Sequence, residues 1–203
     1  MTHIDNFAQI LRSGAIYSYA RLKHENIDYV NIAYADIQEK REMCFVSVDG
    51  KRLSLHEFVP FHFAPRSPML YTVAQGNVEG YDSGQEPLIY IVIDIARIVT
   101  SGRRFIYTDG HPIMYYTQYY TDITALGEAI DWDVMNATYW ANTDEDPDRK
   151  RRRQAEFLIL EAMAVTDFSF IAVQNTNIKS VVEQLIEMAG YGIPVYCKTD
   201  WYY

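Results

Sequence analysis

The distribution of short apolar runs sets the limits on what this chain can fold into. Phe58 to Phe63, Leu88 to Asp94, Phe157 to Leu160, Phe168 to Val173 and Ile193 to Cys197 are rich in β-branched and aromatic residues and bounded by turn formers, which reads as strand. Two segments carry a clear helical period instead. Ile4, Phe7, Ile10 and Leu11 recur at helical spacing, with Asp5 or Asn6 available as N-cap and Gly14 placed to stop the helix. A second helix is expected from about Asn177 to Ala189, where Ile178, Val181, Val182, Leu185 and Ile186 share a face ahead of Gly190. Many strands with few helices and no regular β-α-β alternation argue for an α+β fold with mainly antiparallel sheets, and less well for a doubly wound sheet. No glycine-rich phosphate loop is present. With no internal repeat, the 203 residues read as one domain, 1–203.

Charge bears on the partner. The chain holds 18 Lys plus Arg against 27 Asp plus Glu, a formal net of −9, which on its own disfavours a nucleic-acid binder. The average conceals a local pattern, because residues 1–66 are balanced and all the excess acid lies beyond them. Within that acidic part Asp144-Glu145-Asp146-Pro147-Asp148 runs straight into Arg149-Lys150-Arg151-Arg152-Arg153. If the segments carrying Lys40, Arg41, Arg66 and this block line one site, the expected surface is a basic cleft on an acidic body.

Cys44 and Cys197 are too few and too far apart for a disulfide framework or a zinc site, which points to a reducing cytosol. The longest apolar run, Leu88 to Val99, is interrupted by Asp94 and Arg97 and is shorter than the roughly 20 residues of a membrane span. Met1 opens directly into Thr2-His3-Ile4-Asp5-Asn6 without the pattern of a signal peptide. Asp109, His111, Asp131 and Asp133 lack a recognised ligand spacing, so no metal is expected.

Four places hold residues able to do chemistry. His3, beside Thr2, Asp5 and Asn6, stands just ahead of the first helix and fits either a cap or a ligand contact. Asp36-Ile37-Gln38-Glu39-Lys40-Arg41 reads first as a solvated helix face. Between Pro65 and Pro68 the backbone around Arg66 and Ser67 is stiff, which lowers the entropy cost of using a guanidinium on a carboxylate or phosphate, whether in a site or in a structural turn. At Arg151-Arg152-Arg153-Gln154-Ala155-Glu156, a basic run ends on a glutamate at the mouth of an apolar strand, where burying a carboxylate is costly unless its charge is required. The segment Thr108 to Arg153 joins these places; it is polar, tyrosine-rich and long for a loop, with a weak helix suggested by Asp122, Leu126 and Ile130.

In this order the segments resemble the DarT family of DNA ADP-ribosyltransferase toxins. The matching pieces are Thr2-His3-Ile4-Asp5-Asn6 with Ile10-Leu11 and Gly14, Ile37-Gln38 with Lys40-Arg41, and Val59-Pro60-Phe61 through Pro65-Arg66-Ser67-Pro68-Met69-Leu70. Thr108-Asp109-Gly110-His111, Ile130-Asp131-Trp132 and Arg153-Gln154-Ala155-Glu156 complete the set. The resemblance implies an ADP-ribosyltransferase fold, two mainly antiparallel sheets around a cleft for NAD with peripheral helices. It implies transfer of ADP-ribose from NAD to a base of single-stranded DNA, without a metal, by a cytoplasmic toxin whose partner is a DarG-type macrodomain antitoxin. The Pro65-Arg66-Ser67-Pro68-Met69 turn and Arg153-Gln154-Ala155-Glu156 lean toward thymidine rather than guanosine as acceptor.

Carried onto this chain, the resemblance makes Glu156 and Arg41 catalytic and assigns His3, Asn6 and Arg41 to NAD. Arg66, Trp132, Trp140, Arg151, Arg152 and Arg153 are the candidates for DNA contact, with Trp132, Tyr139 and Trp140 equally suited to stacking or core. Members of the family usually carry further residues ahead of the Thr-His piece, so His3, adjoining Met1 here, is expected to be less firmly held. The alternatives are an ADP-ribosyltransferase acting on RNA or protein, and a non-catalytic nucleic-acid-binding module.

Overall fold

The computed structural model describes residues 1–33 and 35–203. The elements that matter for the site are β1 (Thr2–His3), α1 (Ile4–Ser13), α2 (Ala35–Met43), β2 (Phe58–His62), α3 (Pro68–Ala74) and β3 (Leu88–Ile93). They continue with β4 (Phe105–Thr108), β5 (Tyr119–Tyr120), β6 (Glu156–Leu160), β7 (Phe168–Val173), α4 (Thr176–Met188) and β8 (Val195–Cys197).

Two four-stranded sheets organise the molecule, in the orders β1-β3-β7-β8 and β2-β6-β4-β5. Every pairing in them is antiparallel except β7 with β8, so the expected α+β architecture of mainly antiparallel sheets is observed. Strand β6 is apolar at every position after Glu156 because both its faces are covered. Phe157 and Ile159 point into the cluster shared with β3, β7, α1 and α4, while Leu158 packs with Leu55, Phe58 and Ile106 on the opposite side. Phe7 and Leu11 of α1 and Val182 and Ile186 of α4 complete the first cluster, which joins residues of both sheets in one core.

The first helix begins earlier than its sequence suggests. Its N-cap is His3, whose Nδ1 accepts the Asp5 amide at 3.2 Å, rather than Asp5 or Asn6. An imidazole nitrogen two residues ahead of the amide does what an Asx oxygen usually does, and leaves Asp5 in the first turn, where its charge suits the helix dipole. Gly14, at φ 72°, ends the helix in the left-handed region as expected. Helix α4 starts from an Asn175 cap on the Ile178 amide. The basic block, expected as part of a loop, forms a short helix over Arg149–Arg152, and a second short helix, Trp132–Asn136, is capped by Asp131.

Candidate active site

The two sheets and α2 enclose a cleft of about 720 Å³. Glu156 reaches its wall because it is the first residue of β6, on the antiparallel rung opposite His62 of β2. Only 5% exposed, it meets Arg41 of α2, itself 7% exposed, whose Nη1 donates to both Glu156 carboxylate oxygens at 3.0 Å. Arg41 is thus turned inward from a helix whose Glu39 and Lys40 face solvent, which corrects the reading of this run as a wholly solvated face. The charge pattern of the run is that of a surface helix, and no periodicity marked the one residue that is buried. Arg41 Nη2 is buried without a hydrogen-bond partner, so the pair retains an unused donor at the cleft.

Thr108, at the end of β4, fixes Glu156 from behind. Its hydroxyl accepts the Glu156 amide at 3.0 Å and donates to the Gly110 carbonyl at 2.7 Å. The turn that follows lies against Arg151, where a methyl group on Gly110 would overlap the Arg151 guanidinium, and His111 donates its amide to the Arg151 carbonyl at 2.9 Å. A side chain at position 110 would therefore displace the Arg151 guanidinium, whereas the Gly110 backbone is not left-handed. Thr108 and His111 belong to a motif of the resemblance without an assigned role, and His62 stands in an apolar strand; only the fold shows that all three surround Glu156.

His62 and His111 both line the cleft, and the Nδ1 of each is buried without a partner. Burial pushes the His111 imidazole down to about 4, with Arg41 acting in the same sense and Glu156 opposing it. Burial lowers His62 too, again against the pull of Glu156. The unfolded chain, with histidines near about 6.5, binds more protons than the native one between about 4 and 6.5. The stability contributed by keeping these rings neutral is therefore complete above pH ~6.5 and lost as pH falls through that window. Melting temperature should drop from pH ~7 to ~5, and His111→Asn should flatten the dependence; an equally steep profile for the variant would show that His111 does not carry it.

The remaining sequence candidates divide. Asn6 borders the cleft, but its amide is engaged, donating to Thr2 Oγ1 and the Val30 carbonyl and accepting the Val30 amide at 2.7 Å. It thereby pins the segment that carries Ile32 over the cleft. His3 is 7% exposed, caps α1 and meets the edge of Tyr81 at 5.9 Å, so it is firmly held, contrary to the expectation drawn from its place beside Met1.

The basic groove expected from the block after Asp148 is largely neutralised from within. Arg151 borders the cleft but pairs with Asp109 at 2.9 Å and Asp148 at 2.8 Å. Arg152 pairs with Asp131 and Asp146. Arg153, 4% exposed, donates to the carbonyls of Val134, Met135 and Ala137 and to that of Pro65 at 2.7 Å. Assigning Arg152 and Arg153 to DNA is thus corrected: Arg152 is matched by Asp131 and Asp146, and Arg153 spends its donors on the carbonyls of the Trp132–Asn136 helix end and the Pro65 turn. Among the described residues, Lys150 at the cleft and Arg66 beside Tyr203 are cations without an ion pair.

The aromatic residues left open by the sequence are not core. Tyr139 is 83% exposed, Trp132 is 39% exposed with its indole N–H on the Gly127 carbonyl, and half-buried Trp140 donates to the Tyr203 hydroxyl at 2.7 Å. Tyr115, in the turn after His111, is fully exposed. Among the described residues no helix is long and apolar enough to cross a membrane, and no group of His, Cys, Asp and Glu is placed to hold a metal ion.

Comparison with known proteins bears directly on this cleft. A DNA ADP-ribosyl transferase of Thermus sp. (strain 2.9) is 34% identical over 100% of this chain and 94% of its own length. A DNA ADP-ribosyl transferase-DNA ADP-ribosyl glycohydrolase fusion protein of Thermosipho africanus is 27% identical over 96% of this chain and 46% of the fusion. The solved structure of Thermus sp. 2.9 DarT in complex with ADP-ribosylated ssDNA superposes with a TM-score of 0.91 at 32% identity, covering 100% of this chain and 93% of that one. The same protein in complex with NAD+ gives 0.87 at 29% identity, covering 100% and 94%. The sequence model described as "ssDNA thymidine ADP-ribosyltransferase, DarT" matches residues 1–203, and with it the chain belongs to the DarT family.

Proposed function

We propose that this chain, acting as a single domain in the cytosol, transfers ADP-ribose from NAD to thymidine in single-stranded DNA. The observation that carries the proposal is the buried Arg41–Glu156 pair at the mouth of β6, both residues lining the cleft, with one Arg41 donor left buried and unpartnered. An orphaned buried guanidinium N–H beside a carboxylate fits a ligand rich in hydroxyl and carbonyl acceptors, as NAD is.

Cleavage of the ribose–nicotinamide bond places positive charge on the ribose carbon, and a carboxylate fixed beside it stabilises that charge as it develops. Glu156 supplies this charge and accepts a ribose hydroxyl, while Arg41 holds its two oxygens and the Thr108 hydroxyl fixes its backbone amide. The acceptor nitrogen of thymine is paired in a duplex and free in a single strand. As the bond from this nitrogen to the ribose carbon forms, nicotinamide departs and the N–H proton passes to water, while Arg41 orients the base and offsets the anion that forms; a guanidinium, protonated throughout, is not the base. His3, which does not line the cleft, caps α1 and so seats Asn6, and Asn6 fixes the segment at Val30 that borders the cleft. Lys150 and Arg66 take phosphates, while Arg151, at the cleft, stays paired with Asp109 and Asp148, and Tyr115, Tyr139 and Trp132 offer faces on which bases stack at about 1–3 kcal/mol each. Trp140 supports this surface through Tyr203. A toxin role with a DarG-type macrodomain antitoxin follows from reversing the same modification, the pairing of activities that the Thermosipho fusion name carries.

The test is mass spectrometry of four oligonucleotides, each containing one type of reactive base, after incubation with NAD. A single ADP-ribose should appear on the thymidine strand. Modification confined to RNA or to protein, or to guanosine, overturns the assignment.

A further inference from the structure

Arg66 occupies the left-handed region at φ 53°, which a residue with a Cβ adopts only where its surroundings hold it. Each peptide group of this turn is held by a side chain distant in sequence. Arg153 donates to the Pro65 carbonyl at 2.7 Å, and the Arg66 amide donates to the Tyr90 hydroxyl at 3.1 Å. The Arg66 carbonyl accepts the Tyr203 hydroxyl at 2.8 Å.

Tyr203 does more than close this carbonyl. Its ring lies under the Arg66 guanidinium, 4.5 Å from centroid to Cζ, and its hydroxyl also accepts the Trp140 indole N–H. Tyr71 meets the Tyr203 ring edge-on at 5.1 Å and Trp140 at 5.8 Å. Gln85 fixes the Tyr203 backbone from both sides, accepting its amide at 3.0 Å and donating to its carbonyl. The guanidinium is thus stacked on an aromatic face instead of being paired with a carboxylate, its Nε buried and unpartnered. A stacked guanidinium keeps its full charge and most of its N–H donors for an incoming anion, whereas an ion-paired one does not.

We propose that Tyr203 is a positioning residue for DNA: it seats Arg66, by ring and hydroxyl together, so that the guanidinium meets a phosphate of the single strand without reorganisation. The proposal rests on the assignment of Arg66 to a DNA phosphate made above. Tyr203 touches neither Glu156 nor Arg41, so its effect falls on DNA and not on NAD.

Steady-state transfer to a thymidine oligonucleotide, with NAD and DNA varied separately, tests this. Tyr203→Ala should raise KM for the oligonucleotide about five- to tenfold with KM for NAD unchanged, and Tyr203→Phe, which keeps the ring, should raise it less. Arg66→Ala should raise the DNA KM at least as much and lower the steepness of its salt dependence by about one phosphate contact. In the Arg66→Ala background, Tyr203→Ala should have little further effect. If Tyr203→Ala costs the same in that background, or raises both KM values alike, or if Arg66→Ala leaves the DNA KM untouched, the proposal is overturned. Tyr203→Phe keeps the test open should the alanine variant not fold. Absence of any DNA adduct with the unaltered protein would instead overturn the function proposed above, before a variant is compared.

Discussion

Glu156→Gln should reduce ADP-ribose transfer by about 10²- to 10³-fold while leaving the fold in place, the scale expected when one preorganised electrostatic contact is removed from a developing charge. Glutamine has the size and shape of glutamate, so β6 keeps its packing between Phe157 and the Thr108 hydroxyl. What changes is that a neutral amide faces the reacting ribose and presents an NH2 group toward Arg41, which has only donors to offer. Arg41 Nη1 now bridges two oxygens at 3.0 Å, and after the substitution at most one oxygen remains. Gel-shift kinetics with the thymidine oligonucleotide, alongside a thermal melt and NAD binding, separates the outcomes. Transfer within a few-fold of the unaltered rate would remove Glu156 from the chemistry.

Arg41→Met should have the largest effect on stability. Both members of the pair are nearly inaccessible, and removing one leaves a buried carboxylate without compensation, at a cost of about 3–5 kcal/mol. For a chain of this size that corresponds to a melting temperature lower by roughly 10 °C. Transfer should be lost as well, because Glu156 is no longer aimed and the free Arg41 donor is gone. The two losses come apart in the double variant Arg41→Met/Glu156→Gln, which should recover much of the stability, having no unpaired charge, and none of the activity. If the double variant melts as low as Arg41→Met, the cost lies in packing and not in the stranded carboxylate.

The sequence carried the scaffold further than it carried the site. Strands such as Phe58–His62 and Phe168–Val173 are legible because a strand buried on both faces is apolar along its length and a half-buried one at alternate positions, and α1 and α4 because their apolar faces repeat. Glu156 was legible for a related reason, since a charge abutting an apolar strand stands out. Arg41 was not legible from its own segment, where Lys40 and Arg41 are adjacent cations and only the tertiary fold decides that one turns inward. The opposite error occurred at Arg152 and Arg153. A run of five basic residues suggests an anion site, yet its partners, Asp131, Asp146 and the carbonyls of Val134 to Ala137, come from chain folded back over it. Local density of charge reports how much charge is present, and not whether the fold has already matched it.

The contact between Gly110 and Arg151 has a consequence for how this architecture can vary. Because the guanidinium occupies the space in which a side chain at position 110 would sit, a change at 110 displaces Arg151. A chain that places alanine or serine at 110 must shorten or redirect the residue at 151, and with it release Asp109 and Asp148 from their shared cation. The glycine of an Asp-Gly pair is ordinarily chosen for its backbone, but here the restriction comes from the Arg151 side chain packed against it. A side chain introduced at position 110 is therefore felt first in the ion pairs that Arg151 makes with Asp109 and Asp148.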